Sequence, residues 1–407
     1  MAPETPRSFG ALTSRNFRLL WSGSLLSQTG DFIQMVAQYW LVLELTNSPL
    51  WLGVIGFCQA APRLVLGLWG GVLVDRHDRR RLLLWTQLIA MLQALAFGLL
   101  ISTGLITLGL VVLLVLILGV VNTVHQTTRL ALIPALVEPP ALMSAIALNS
   151  TAFNVTRIAG PTIGGLLVGW LGVAGCMYVN AVSFLAILVS VILMDLPPWQ
   201  PGKGRGMFAE VREGLLYAWR ERVVVRVLAV TALVAFFGLP YTRFLPVVAR
   251  DILQIGAEGY GLLMAMPGVG AVAMSLVLAY RGEVRGRETW LIASAAGFGG
   301  ALLAFSFARV LGLALFFLVA VGAMQITVRT VGNTLLQEIV PEALRGRIMS
   351  LFMLDTGLWS LGSLAVGGIG QAFGIPAALA LSSLGCLVGS LALAPGLLRL
   401  HRPAEAR

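Results

Sequence analysis

Runs of roughly 20 apolar residues recur along almost the whole chain, and nothing else in the sequence limits its fold so severely. They fall near 17–44, 50–74, 82–102, 105–128, 143–170, 176–194, 223–245, 259–280, 289–308, 311–329, 347–371 and 376–398. Each can cross about 30 Å of hydrocarbon as a helix. Lipid offers no water to unpaired N–H and C=O groups, so a spanning segment must be a helix or part of a closed barrel. Period-two alternation, the mark of a barrel strand, is missing. The runs therefore predict an all-α integral membrane protein with twelve transmembrane helices. Composition agrees: 11% of the 407 residues are charged, against about 25% in soluble domains. The N-terminus is polar up to Asn16, and the first run is too long for a signal-peptide core, so that run is expected to stay as a helix.

The formal net charge of +10 is a topology signal, which removes the reason to expect nucleic acid as a partner. With the N-terminus placed in the cytoplasm, all but five of the 28 lysines and arginines fall on the cytoplasmic side. Arg243, Arg250 and Arg309 fall outside, and Arg63 and Arg157 lie at membrane depth. This bias is the positive-inside rule, and it predicts that both termini are cytoplasmic. Cys58, Cys176 and Cys386 stand singly in apolar runs, which argues against a disulfide framework or a zinc site.

The longest hydrophilic stretch, 195–222, opens with Pro197, Pro198, Pro201 and Gly202 and divides the chain into six runs and six runs. The expected organisation is an N-terminal bundle over 1–194, a cytoplasmic linker over 195–222 and a C-terminal bundle over 223–407. Phe208, Val211, Leu215, Leu216 and Trp219 recur at helical spacing among charges, which suits an amphipathic helix on the cytoplasmic face. Shifting the second half by 202 residues sets Gly160 on Gly362, Gly165 on Gly367 and Gly172 on Gly374. Six-helix repeats share an orientation, so the two bundles are expected to be related about the membrane normal with a cavity between them.

Ionisable residues at membrane depth are costly and mark a pathway. Asp31 sits midway along the first run, Arg63 along the second, Arg157 along the fifth, and Asp355 about two turns into the eleventh. Ser24, Ser27, Asp31, Gln34 and Gln38 follow 3-4-3-4 spacing and form one polar stripe, as do Ser150, Asn154 and Arg157. Both stripes are expected to face the central cavity, with Phe153, Phe236 and Trp359 as apolar cavity wall. Asp31 is the expected protonation site, with Arg63 or Arg157 as its partner. A static Asp–Arg bridge that only joins helices stays open beside it. His125, with Asn122 and Arg129, forms a polar face at the cytoplasmic end of the fourth run, read as a satisfied interfacial histidine ahead of a proton relay. No cofactor and no metal site is expected. The absence of a Walker lysine motif and of any convergent His, Cys and carboxylate set argues against an enzyme.

Two segments carry a family resemblance. One is Gly71-Val72-Leu73-Val74-Asp75-Arg76-His77-Asp78-Arg79-Arg80, between the second and third runs. The other is Gly160-Pro161-Thr162-Ile163-Gly164-Gly165, inside the fifth. Together they resemble the major facilitator superfamily of secondary transporters. The first matches its cytoplasmic gating motif at Gly71, Asp75, Arg76, Arg79 and Arg80 and departs at Asp78, where the pattern has glycine. The resemblance implies a latch whose charges pair with the opposite bundle in one state and release in another. The second matches the fifth-helix antiporter signature at Gly160, Pro161, Gly164 and Gly165, with Thr156 where the pattern has an earlier glycine. There proline permits a kink and the glycines permit close helix approach.

Asn16-Phe17-Arg18-Leu19, Gly30-Asp31 and Thr46-Asn47-Ser48-Pro49 extend the resemblance to the drug:proton antiporter branch that includes the enterobactin exporter. This implies the major facilitator fold in a bacterial inner membrane. It also implies export of a small lipophilic compound, drug or siderophore in exchange for protons by alternating access, with the protein a monomer in the bilayer. A lysophospholipid flippase or a nutrient importer of the same fold is the nearest alternative, and a non-transporting membrane sensor a more distant one. Importers usually lack the fifth-helix signature, which favours export.

Overall fold

The structure is a computed structural model that describes residues 10–195, 217, 219, 221–281, 286–352 and 355–398. Among the described residues the regular elements are helices, and no strand occurs. The α-helices are α1 Arg15–Thr46, α2 Pro49–Arg76, α3 Arg79–Ser102, α4 Leu108–Leu132, α5 Leu142–Leu193, α6 Arg222–Leu233, α7 Tyr241–Val247, α8 Gly256–Arg281, α9 Arg287–Ser306, α10 Leu311–Ile339, α11 Glu342–Phe352, α12 Asp355–Phe373 and α13 Ile375–Leu398. Two π-helical turns, Val234–Gly238 and Val248–Ile252, flank α7. The surface helix expected over 207–222 falls largely outside the described residues.

Among the described residues, 8 helical stretches are long and apolar enough to cross a membrane: Arg79–Ser102, Leu108–Ala135, Pro139–Leu193, Arg222–Ile252, Gly256–Arg281, Arg287–Ser306, Leu311–Ile339 and Ile375–Leu397. Although α1 has 32 residues, its polar stripe lowers its hydropathy and keeps it out of that set.

One of these stretches contains a reversal. With 52 residues, α5 would be about 78 Å long if straight, far beyond about 30 Å of hydrocarbon. It breaks at Gly172, whose φ of 69° and ψ of 179° suit only glycine. Cys176 Sγ then lies 3.9 Å from Gly164 O, two atoms that a straight helix would hold about 18 Å apart. The two arms of α5 thus run side by side in opposite directions. The matching glycine of the second half, Gly374, also has a positive φ, 84°, and separates α12 from α13.

The chain forms two compact units. The first comprises Met1–Thr46, Ala61–Arg205 and Ala257–Leu262, and the second Asn47–Ala60, Gly206–Gly256 and Leu263–Arg407. In the first unit α1 lies between the arms of α5. Gly23 and Gly30 lie against Ser190 and Ser183 of the second arm, and Gly160 and Gly164 of the first arm against Phe32 and Ile33. Phe17, Leu20, Leu83, Leu118, Phe184 and Ile187 fill the core around them. In the second unit Leu291, Phe298, Leu318, Leu336 and Cys386 are buried between α9, α10 and α13, and Gly299 packs against Leu387.

Candidate functional site

The polar stripe of α1 is turned into the first unit. Ser24, Ser27, Gln34 and Gln38 are exposed by 6%, 5%, 2% and 1%, which corrects the expectation that Gln34 and Gln38 line an open cavity. The reason is that neighbouring helices bring amides of their own. Gln34 Nε2 donates to Gln93 Oε1 of α3 at 3.3 Å, and Asn180 Nδ2 of the second α5 arm donates to Gln34 Oε1 at 2.7 Å. Gln93 Nε2 in turn donates to Leu114 O of α4 at 3.2 Å. One turn towards the N-terminus, Ser27 Oγ is 3.5 Å from Gln87 Oε1, and Gln87 Nε2 is 2.8 Å from His125 Nδ1. Four helices are thereby tied through side chains at a depth where an unpaired polar atom costs about 1–3 kcal/mol.

Asp31 stands in the middle of this network. Its carboxyl interacts with the Asn180 side chain, and the opposite charge acting on it is the Arg129 guanidinium of α4. Arg129 is 6% exposed and is held by Asn149 Oδ1 at 2.9 Å and Gln126 Oε1 at 3.0 Å. The sequence pointed to Arg63 or Arg157 as the partner of Asp31, and Arg129 is a cation it did not single out for that place. Arg63 is exposed on α2 and Arg157 half-buried on α5, each with interactions of its own. A signal for Arg129 was present in the sequence. It shares the buried face of α4 with Leu118, Val121 and Leu132, spaced at whole turns from it.

The other expected site residues lie elsewhere. Phe153 is 42% exposed and its ring centroid is 6.0 Å from that of Phe32, while Asn154 is half-buried. In the second unit Phe236 lies in the first π-helical turn, edge-on to Phe237 at 4.9 Å. Trp359 of α12 lies under the Arg243 guanidinium at 4.6 Å. Arg243, expected outside the membrane, is 4% exposed and packs against Gly56 of α2. Asp355 begins α12, and its side chain falls outside the described residues.

The charged motif joins α2 to α3. Asp78, standing where the superfamily pattern has glycine, is the N-cap of α3 and accepts from Arg80 N at 2.8 Å. The turn is thus made by a capping side chain, which satisfies one of the free N–H groups of a helix start. Arg79 Nη1 donates to Ala131 O at the end of α4, 2.9 Å away. Arg80 Nη2 donates to Ile192 O at the end of α5, 2.7 Å away. Cations at helix C-termini meet unpaired carbonyls and the negative end of the helix dipole. Arg76 is exposed; the surroundings of Gly71 and the side chain of Asp75 fall outside what is described. The Gly-Pro motif lies wholly within a helix. Backbone angles stay helical at Pro161, and the one break falls at Gly172, in the interval expected between the fifth and sixth runs. Gly165 faces Gly261 of α8, where a Cβ would fall 2.7 Å from the opposing Cα.

Among the described residues no group of His, Cys, Asp and Glu is arranged to hold a metal ion. The fold resembles solved transporters. The nucleoside transporter NupG superposes with a TM-score of 0.75 over 93% of this chain and 98% of that one at 11% identity. A bacterial homolog of the human lysosomal transporter Spinster gives a TM-score of 0.72 over 94% of each chain at 16% identity. In sequence, the chain is 28% identical to the multidrug efflux pump Tap of Mycolicibacterium fortuitum across 92% of this chain and 94% of that protein. It is 24% identical to the staphyloferrin A transporter of Staphylococcus aureus across 88% and 90%. Residues 7–405 match the family described as transmembrane secretion effector. A helical membrane protein with buried intramembrane charge and that match over nearly its whole length is a transporter rather than an enzyme, and the chain belongs to the transmembrane secretion effector family of the major facilitator superfamily.

Proposed function

We propose that this protein is a proton-coupled exporter of small lipophilic compounds or siderophores, working by alternating access in a bacterial inner membrane with both termini cytoplasmic. The observation that carries the reading is Asp31, an intramembrane carboxyl that meets the Asn180 side chain and feels the charge of the Arg129 guanidinium. A protonated Asp31 loses its attraction for Arg129, and a deprotonated one regains it. The equilibrium between two arrangements of α1 and α4 then depends on which side supplies the proton. Tap and the staphyloferrin A transporter, an efflux pump and a siderophore transporter by name, support the direction and the substrate class. In this reading the twelve apolar runs are twelve spans in two six-helix bundles, with α5 supplying two of them. The protein acts as a monomer, and Phe153, Asn154, Phe236 and Trp359 meet the substrate.

The test uses inverted membrane vesicles and a panel of ethidium, macrolides and carboxylate siderophores under an imposed proton gradient. Wild-type vesicles are expected to accumulate at least one member only while the gradient lasts, and Asp31→Asn vesicles to show no gradient-driven accumulation. Undiminished gradient-driven uptake by Asp31→Asn would reduce Asp31 to a structural bridge.

A further inference from the structure

Ser24, Asp31 and Gln38 are seven residues apart, two helical turns each, and so stand on one line along α1. Each carries a buried atom with no hydrogen-bond partner in the protein: Ser24 Oγ, Asp31 Oδ1 and Gln38 Nε2. Gln28 Oε1, between the first two, is a fourth, its amide nitrogen being used by Ser24 O at 3.1 Å. Ser27 and Gln34, also seven apart, lie on the adjoining edge, and both reach α3. One edge of the helix is thus satisfied by protein and the next is not. Among the described residues other such atoms occur, as at Arg79 Nε, Tyr260 Oη and Trp359 Nε1, but each of these stands singly on its helix, whereas α1 carries four, three of them at a two-turn repeat.

The spacing decides what can satisfy these atoms. Seven residues rise about 10.5 Å, and the line from Ser24 to Gln38 is about 21 Å long. A single cation gathers its oxygens within about 2.3–2.6 Å, so it cannot serve atoms so far apart, and the Arg129 charge opposes one at Asp31. Water molecules, each needing two to four polar partners, can fill such a line. The geometry points to a column of bound water along the Ser24–Asp31–Gln38 line of α1, carrying protons to and from Asp31 inside the first unit. The inference rests on the proton-coupled reading of Asp31 and extends it to the route. It makes Ser24, Gln28 and Gln38 positioning residues that hold the column. Along it a proton moves as each water breaks one O–H bond and forms another, so nothing is oxidised and only the proton is displaced. The ionisable groups on the elements packed around the line include Asp31 itself, Arg129 and His125 of α4, and Arg157 of the first α5 arm, three residues from the Gly160 that packs on Thr29 and Phe32.

Two measurements test this, the first independent of transport. Full-length protein in lipid nanodiscs is exposed to radiolytic hydroxyl radicals in 18O-labelled water. Met35, half-buried one turn beyond Asp31 and seven residues from Gln28, is expected to take up label at least five times faster than Met177, which is 0% exposed. Gln38→Leu is expected to lower Met35 labelling at least threefold. In inverted vesicles, Ser24→Leu is expected to slow gradient-driven ethidium uptake about tenfold and to leave gradient-free ethidium counterflow within twofold of wild type. Met35 labelling unchanged by Gln38→Leu overturns the column, as does wild-type gradient-driven uptake in Ser24→Leu. Counterflow lost in parallel assigns Ser24 to packing and overturns it as well. If wild-type vesicles take up no panel member under a gradient, the export reading fails, while the labelling still decides whether the column exists.

Discussion

At the scale of single residues, Asp31 of α1 and Arg129 of α4 are opposite charges within one unit, each acting on the other. Asp31 was legible because a carboxylate amid apolar residues has no ordinary reason to be there. Arg129 was less so, since Arg63, Arg129 and Arg157 all lie in or beside apolar runs, and only the folding of α4 beside α1 lets the Arg129 charge act on Asp31. Arg129 also holds Asn149 and Gln126, so its removal disturbs more than one contact. Arg129→Ala is expected to abolish gradient-driven uptake and lower the midpoint of thermal unfolding in detergent. Arg129→Lys keeps the charge but has no planar fork for both acceptors, so it is expected to retain the fold with at least tenfold slower uptake. Equal uptake by Arg129→Lys and wild type would show that the fork is unnecessary.

At the scale of elements, glycine placement carries the argument. The Gly160-Pro161 motif was legible as a close-approach surface, and Gly165 does lie against Gly261. The reversal at Gly172 was legible as the gap between the runs 143–170 and 176–194, while the kink that proline permits at 161 is absent from the backbone angles. A proline at 161 keeps helical angles, its φ being already suitable, whereas Gly172 takes a φ of 69° that other residues avoid. A side chain at 165 would fall 2.7 Å from Gly261 Cα and 2.8 Å from Ala257 O, and backbone cannot yield as a flexible side chain does. Gly165→Val is expected to destabilise the purified protein by about 1–3 kcal/mol, as overpacking does elsewhere. Gly109→Ala in α4, with nothing within 4 Å of its added methyl, is the control. A Gly165→Val unfolding midpoint equal to that of the control would show that the two helices part without cost.

At the scale of the whole molecule, the apolar runs were the most legible feature and the side-chain network the least. Helices are forced by the solvent, whichever apolar residues compose them. The network depends on rotation of each helix about its axis, which hydropathy does not report. The repeat falls between these extremes: the 202-residue offset predicted no contact, yet it paired Gly172 with Gly374, two residues that share a positive φ. Charge bias predicts the orientation. Green fluorescent protein fused after Arg407 is expected to fluoresce in a bacterial host, and alkaline phosphatase fused there to be inactive. The opposite pattern would place the C-terminus outside and reverse the direction assigned to transport.

The turn at Gly172 also bears on how the chain is made. Its two flanking arms are joined by a single non-helical residue, so at that end neither arm can move without the other. The first arm sets Gly160 and Gly164 against Phe32 and Ile33 of α1, and the second returns Ser183 and Ser190 to Gly30 and Gly23 of the same helix. Since α1 precedes both arms in the chain, each small-residue contact finds its partner already synthesised, and the turn brings the chain back to the helix it began with.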